Sequence, residues 1–191
     1  MKDSTIPGIL ILTGPKHSGK TSAGRGLANL LGAGFTDLDD LIERQTGKSP
    51  RTLYKEGPDV FRLAETRALA SILQEIVPAV DTMIVAAGGG LIDNPGALEL
   101  LRRPGPSGVM PVTVYLEVTA DTAWERISGA AKATGELPPF LDAENPRETH
   151  AALHARRGAA YREFASFTIT AEGKTPDDIG REIAALVIGI I

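Results

Sequence analysis

The segment Ile9-Leu10-Ile11-Leu12 with the octapeptide Gly14-Pro15-Lys16-His17-Ser18-Gly19-Lys20-Thr21 constrains the fold more than any other part of the chain. A continuous apolar run without polar alternation suits a strand buried on both faces, as in a parallel sheet covered by helices. The octapeptide matches G-x-x-x-x-G-K-[ST], and the stripe Ala23, Leu27, Leu30 and Leu31 predicts a helix directly after it. In that setting the pattern has a mechanism. The glycines let backbone N–H groups turn toward phosphate oxygens, the helix N-terminus adds its positive dipole end, Lys20 supplies a full charge and Thr21 offers a hydroxyl to Mg²⁺. Lys20 at a glycine-flanked helix start has no other evident task.

Further strands are predicted at Phe35 to Leu38, Met83 to Ala87, Val112 to Val118 and Phe167 to Ile169, separated by helical segments. One such segment carries the stripe Phe61, Glu65, Ala68, Leu69, Ile72 and Ile76 and ends before Pro78. Asn145-Pro146 with Glu148, and Thr175-Pro176 with Asp178, read as helix starts. Repeated β-then-α order means a parallel sheet. A loop is expected at Arg103 to Gly108, and the stretch from Ser128 to Asn145 predicts a mobile lid at about 128–145.

The chain has 191 residues, 42% of them hydrophobic, enough for one ordinary core, so a single domain over 1–191 is expected. Its net charge of −4 argues against a broad grip on nucleic-acid phosphates. With no cysteine, disulfides, thiolate metal sites and thiol nucleophiles are excluded. Neither Ile9 to Leu12 nor Ala184 to Ile191 is long enough for a signal or membrane-spanning segment, so a cytoplasmic location without a membrane partner is expected.

Several motifs carry a more specific likeness. Ser22-Ala23-Gly24-Arg25 follows the phosphate-binding loop; then come Phe35-Thr36-Asp37-Leu38-Asp39, Phe61-Arg62-Leu63-Ala64-Glu65, Gly88-Gly89-Gly90, Tyr115-Leu116-Glu117 and Arg157 to Arg162. In this order and at this spacing the chain resembles the shikimate kinases, within the nucleoside-monophosphate-kinase-like P-loop kinases. The resemblance implies a three-layer α/β/α P-loop kinase fold with a five-stranded parallel sheet in the order 2-3-1-4-5 and ligands at the carboxyl ends of the strands. It implies ATP-dependent phosphorylation of the 3-hydroxyl of shikimate in aromatic amino-acid biosynthesis, with Mg²⁺ and ATP, by a monomer. Another small hydroxy acid such as gluconate as acceptor, and a catalytically silent nucleotide-binding homologue, stand as alternatives.

Roles follow from the same resemblance. Gly14, Lys16, His17, Ser18, Gly19, Lys20, Thr21 and Ser22 would hold the nucleotide phosphates, and Arg126 would lie against the adenine. Thr21 and Asp37 would hold magnesium, while Asp39 would orient or deprotonate the attacking hydroxyl. Asp37 and Asp39 are two apart at a strand end, so extended geometry puts both on one face. Asp39 and Asp40 also precede Leu41-Ile42-Glu43, where capping a helix would be reason enough for a carboxylate. Arg62 and Arg162 would clamp the substrate carboxylate, with Gly88, Gly89 and Gly90 letting the backbone approach the ring.

His150 and His154 are four apart on a predicted helix, but no third metal ligand is evident, so packing is expected of them and of Trp124. The sequence departs from the family at the lid. Leu137-Pro138-Pro139-Phe140-Leu141 places proline where the family has an arginine that reaches the transferring phosphates. Lys132, or else Arg147, is expected to substitute.

Overall fold

The computed structural model describes residues 8–76, 82–105 and 108–188. Pro78 and the middle of the 103–108 loop lie outside these residues. The elements run β1 (Gly8–Thr13), α1 (Lys20–Leu31), β2 (Gly34–Asp37), α2 (Leu38–Thr46), α3 (Pro50–Glu56), α4 (Pro58–Ser71), β3 (Thr82–Ala86), α5 (Pro95–Leu101), β4 (Val112–Glu117), α6 (Ala120–Thr134), α7 (Pro146–Phe164), β5 (Phe167–Thr170) and α8 (Pro176–Ile188).

The five strands are parallel and lie in the order β2-β3-β1-β4-β5. β1 is central, and its run Ile9 to Leu12 is apolar without a break because each face meets a different core. Leu10 and Leu12 pack with Ala23 and Leu27 of α1, Ala123 of α6 and Ile179, Ile183 and Val187 of α8. Ile9 and Ile11 face Leu38 and Ile42 of α2, Leu53 of α3, Ala68 and Leu69 of α4, and Ala97 and Leu101 of α5. Each fully buried aliphatic side chain contributes about 1.5–3 kcal/mol. Since β1 has β3 on one side and β4 on the other, the chain leaves it in opposite directions, which opens a crevice at the strands' carboxyl ends.

Two helical stripes differ from expectation. Leu30 is 56% exposed and Ala28 takes the buried position, because the face opposite the sheet passes through Leu27 and Ala28. The helix predicted to run unbroken to Pro78 is α-helical only to Ser71 and continues as a π turn, Ile72–Ile76. There the Ser71 hydroxyl donates to Ala68 O at 2.9 Å, a back-bond that loosens the regular helix. At α8 the predicted start is realised: Thr175 Oγ1 accepts the Asp178 N–H at 3.2 Å, and Asp178 Oδ2 accepts the Thr175 N–H at 3.1 Å.

Candidate active site

β1 ends at Thr13, and the chain must turn under β4 at once. At Gly14 φ is +144°, and a Cβ there would stand 2.5 Å from Leu116 O and 2.9 Å from Ser18 Oγ, so only glycine fits. Gly19 caps α1 in a left-handed conformation (φ +99°) with no side-chain capping bond. Gly19, Lys20, Thr21 and Ser22 line the crevice at the start of α1, and the unpaired amides of a helix start make an anion site there. Lys20 folds back across the loop, its Nζ donating to Gly14 O at 3.0 Å and Pro15 O at 2.7 Å. Burial pulls its pKa down to about 8, against the pull of Asp39 and Asp37. A buried lysine whose close partners are neutral carbonyls has much to gain from a phosphate. Arg126 Nη1 donates to His17 O at 2.9 Å, bracing the loop from α6.

β2 ends at Asp37, which serves two elements. Its Oδ1 accepts the Asp39 N–H at 3.0 Å, capping α2, and its Oδ2 accepts the Thr21 hydroxyl at 2.7 Å. Capping thus falls to Asp37, not to Asp39 or Asp40, which occupy the first turn. Asp39 is freed to line the crevice, where burial and then Asp37 raise its pKa while Lys16 and Lys20 hold it back. After β3 the triple glycine forms the facing wall. A Cβ on Gly88 would lie 3.2 Å from Glu65 Oε1 and 3.5 Å from Asp39 Oδ1. Glu65 is fully buried; Oε2 accepts from Asn94 Nδ2 at 2.9 Å, and Oε1 has no hydrogen-bond partner. Burial pushes its carboxyl up to about 7.

These groups surround one cavity of about 740 Å³. Lys16, His17, Gly19, Lys20, Thr21 and Ser22 line it on the loop side; Asp37, Asp39 and Gly88-Gly89-Gly90 line the floor; Arg51, Tyr54, Phe61, Glu136, Arg157 and Pro138-Pro139-Phe140 are among its other lining residues. Gly14 and Ser18, although part of the loop, do not line the cavity; Ser18 is buried behind it. Among the described residues no cluster of three or more His, Cys, Asp or Glu could hold a metal, and no helix is long and apolar enough to cross a membrane.

The shikimate kinase family model matches residues 16–187. The chain belongs to the shikimate kinase family. It is 35% identical over 185 residues to the shikimate kinase of Chlorobium chlorochromatii, covering 93% of this chain and 91% of that protein. It is 34% identical over 177 residues to that of Streptococcus gordonii, covering 92% and 98%. Among solved structures, shikimate kinase from Acinetobacter baumannii in complex with shikimate superposes with a TM-score of 0.81 at 31% identity, covering 99% of this chain and 97% of that one. The sheet order expected from the shikimate kinase resemblance is the one observed.

Five expectations about a shikimate kinase site meet a different arrangement. Arg162, expected to clamp the substrate, donates from Nε to Glu117 Oε1 at 2.7 Å and is not in the cavity wall. Arg157, five residues earlier on α7, is in that wall. Its Nε donates to Asp93 Oδ2 at 2.8 Å, its Nη2 would be 3.3 Å from a Cβ on Gly90, and its guanidinium lies over the Phe140 ring at 5.4 Å. Helix phase is the cause: residues 150, 154, 157 and 161 form one inward stripe, with His150 and Tyr161 buried, and residue 162 is turned about 100° away from it. That stripe was visible in the sequence and would have selected Arg157.

Arg62, expected to clamp the substrate carboxylate, pairs with exposed Asp59 at 2.9 Å and is not among the residues that line the cavity. Lys132 is exposed on the last turn of α6, outside the cavity wall, because that helix runs on to Thr134 and stops at Gly135 with φ +78°. The lid therefore begins at 135 rather than 128; it contains a 3₁₀ turn, Pro139–Leu141, anchored by the buried Leu141. Arg147 is held by exposed Asp121 at 3.3 Å. His150 packs between Trp124 and His154, with ring centroids at 5.5 and 5.6 Å.

Proposed function

We propose that this chain transfers the γ-phosphoryl of Mg·ATP to the 3-hydroxyl of shikimate, giving shikimate 3-phosphate and ADP. The observation that carries this reading is the single cavity in which the Lys20 loop, Asp39, the triple-glycine wall and the Arg157 guanidinium face one another. Catalysis of this kind rests on positioning and charge stabilisation, with little covalent chemistry for the protein to do.

Lys20 exchanges its two loop carbonyls for phosphate oxygens, and the α1 amides take the rest of the phosphate charge. Thr21 and Asp37 are the residues that would hold Mg²⁺: a hydroxyl and a carboxylate 2.7 Å apart are hard oxygen donors of the kind that ion takes alongside phosphates. The ion, when bound, neutralises phosphate charge. Asp39 accepts the proton of the attacking hydroxyl, a task that its raised pKa suits better than an ordinary aspartate's. Arg157 receives the acceptor carboxylate, since Asp93 fixes its Nε and leaves the outer edge of the fork toward Gly90. Arg62 joins it by leaving Asp59, an exposed pair that contributes about 0–1 kcal/mol. Arg126 flanks the adenine beside the loop that it braces.

The test is product regiochemistry. With Mg·ATP and shikimate, ³¹P NMR is expected to show one new monoester coupled to the ring proton at carbon 3. A monoester on another hydroxyl, or inorganic phosphate alone, contradicts the reading.

A further inference from the structure

Phosphoryl transfer spreads negative charge over the equatorial oxygens of the moving group, and a guanidinium that meets this charge is worth about 10³-fold or more in rate. The lid brings no cation into the cavity: its lining residues there are Glu136, Pro138, Pro139 and Phe140. Four cations do line the wall, namely Lys16, Lys20, Arg51 and Arg157. Lys16 and Lys20 belong to the phosphate loop, and Arg157 is fixed by Asp93 on the acceptor side.

Arg51 reaches the lid from a different element, the first turn of α3. Its Nη2 donates to Leu137 O at 2.5 Å and lies 2.7 Å from Glu136 Oε2. Its Nε is buried and has no hydrogen-bond partner. Leu137 directly precedes Pro138, so a guanidinium stands against the lid backbone beside that proline although the lid itself supplies none. The contact to Glu136 is with a carboxylate 60% exposed, a partner that water competes for and that a phosphate can displace.

We propose that Arg51 is a catalytic residue, the guanidinium that meets the transferring phosphoryl group in this chain. With nucleotide and acceptor in place it gives up Glu136 for γ-phosphoryl oxygens, using the Nε donor that is otherwise unpaired. It keeps Leu137 O, so the same side chain holds the lid over the reacting atoms. The assignment rests on kinase chemistry in this cavity and not on which hydroxy acid is the acceptor.

The experiment is steady-state kinetics on Arg51→Ala, Arg51→Lys, Glu136→Gln and the double variant Arg51→Ala/Pro138→Arg, using whichever of shikimate, gluconate or a nucleoside monophosphate supports turnover. Arg51→Ala is expected to lower kcat by about tenfold or more with KM for ATP and acceptor changed by less than about threefold, the pattern of a contact made in the transition state. Arg51→Lys should keep part of the rate, because a point charge replaces a fork. If the alanine variant does not fold, the lysine variant reads a smaller drop in kcat, again with KM little changed, and an unchanged kcat there overturns the assignment. Glu136→Gln should leave kcat within about twofold of the parent, since it frees the guanidinium. Recovery of kcat in the double variant would place a guanidinium from the lid where Arg51 had acted. An unchanged kcat in Arg51→Ala, or an equal fall in Glu136→Gln, overturns the assignment: the first removes Arg51 from the chemistry, and the second makes the pair a structural latch.

Discussion

Lys20 sits at the point where sequence and chemistry agree most closely, on the first turn of α1 with its ammonium bent back over the loop. Lys20→Ala is expected to reduce turnover to below about 1% of the parent while thermal unfolding shifts by only a few degrees, read from ADP release and from calorimetry. Retention of most activity would remove the phosphate loop from the account. The arginines give the complementary test. Arg157→Ala should weaken shikimate binding about tenfold or more in isothermal titration, whereas Arg162→Ala should leave it within about threefold. The reverse ranking would restore Arg162 as the clamp. Lys20, Thr21, Asp37 and Asp39 were legible in the sequence because a short loop and a strand end leave their side chains little choice of direction. Arg157 and Arg162 differ only in helix phase, and there the family resemblance chose Arg162 although the stripe through His150, His154 and Tyr161 runs through Arg157. Arg51 carried no local signal at all; its position depends on α3 and the lid meeting across the cavity.

At the scale of elements, the five strands stand within a residue or two of where apolar runs placed them, since the runs are bounded by polar, glycine or proline residues that break the apolar pattern. The lid was misjudged for a related reason. Gly129, Ala130, Ala131 and Ala133 read as a loose stretch, yet alanine is the best helix former, and only Gly135 with its left-handed backbone stops α6. The fit of α1 against β2 makes a further prediction. A Cβ on Gly24 would lie 2.7 Å from Phe35 Cε2 and 3.2 Å from Leu12 Cδ1, closer than side-chain atoms tolerate. Helix propensity favours Gly→Ala by about 1 kcal/mol, but overpacking costs about 1–3 kcal/mol, so Gly24→Ala should be net destabilising in urea unfolding. A stabilised variant would show that Phe35 moves aside freely.

For the molecule as a whole, Glu65 is a buried ionisable group that stability must accommodate. Its carboxyl titrates near 7 in the fold, against 4.5 for an ordinary glutamate. Between these values the native state holds a proton that the unfolded state releases, so this group's contribution to stability falls as pH rises through the window, by at most about 3 kcal/mol. Glu65→Gln keeps the shape without the ionisation. The Tm of the variant relative to the parent should therefore rise between pH 5 and pH 8, and a difference independent of pH would mean that Glu65 is ionised throughout. The central claim is that the cavity assembled by these elements phosphorylates shikimate, and a coupled ADP-release assay over shikimate, gluconate and nucleoside monophosphates tests it most directly. The highest kcat/KM is expected with shikimate; a clear preference for gluconate or for a nucleotide would contradict it.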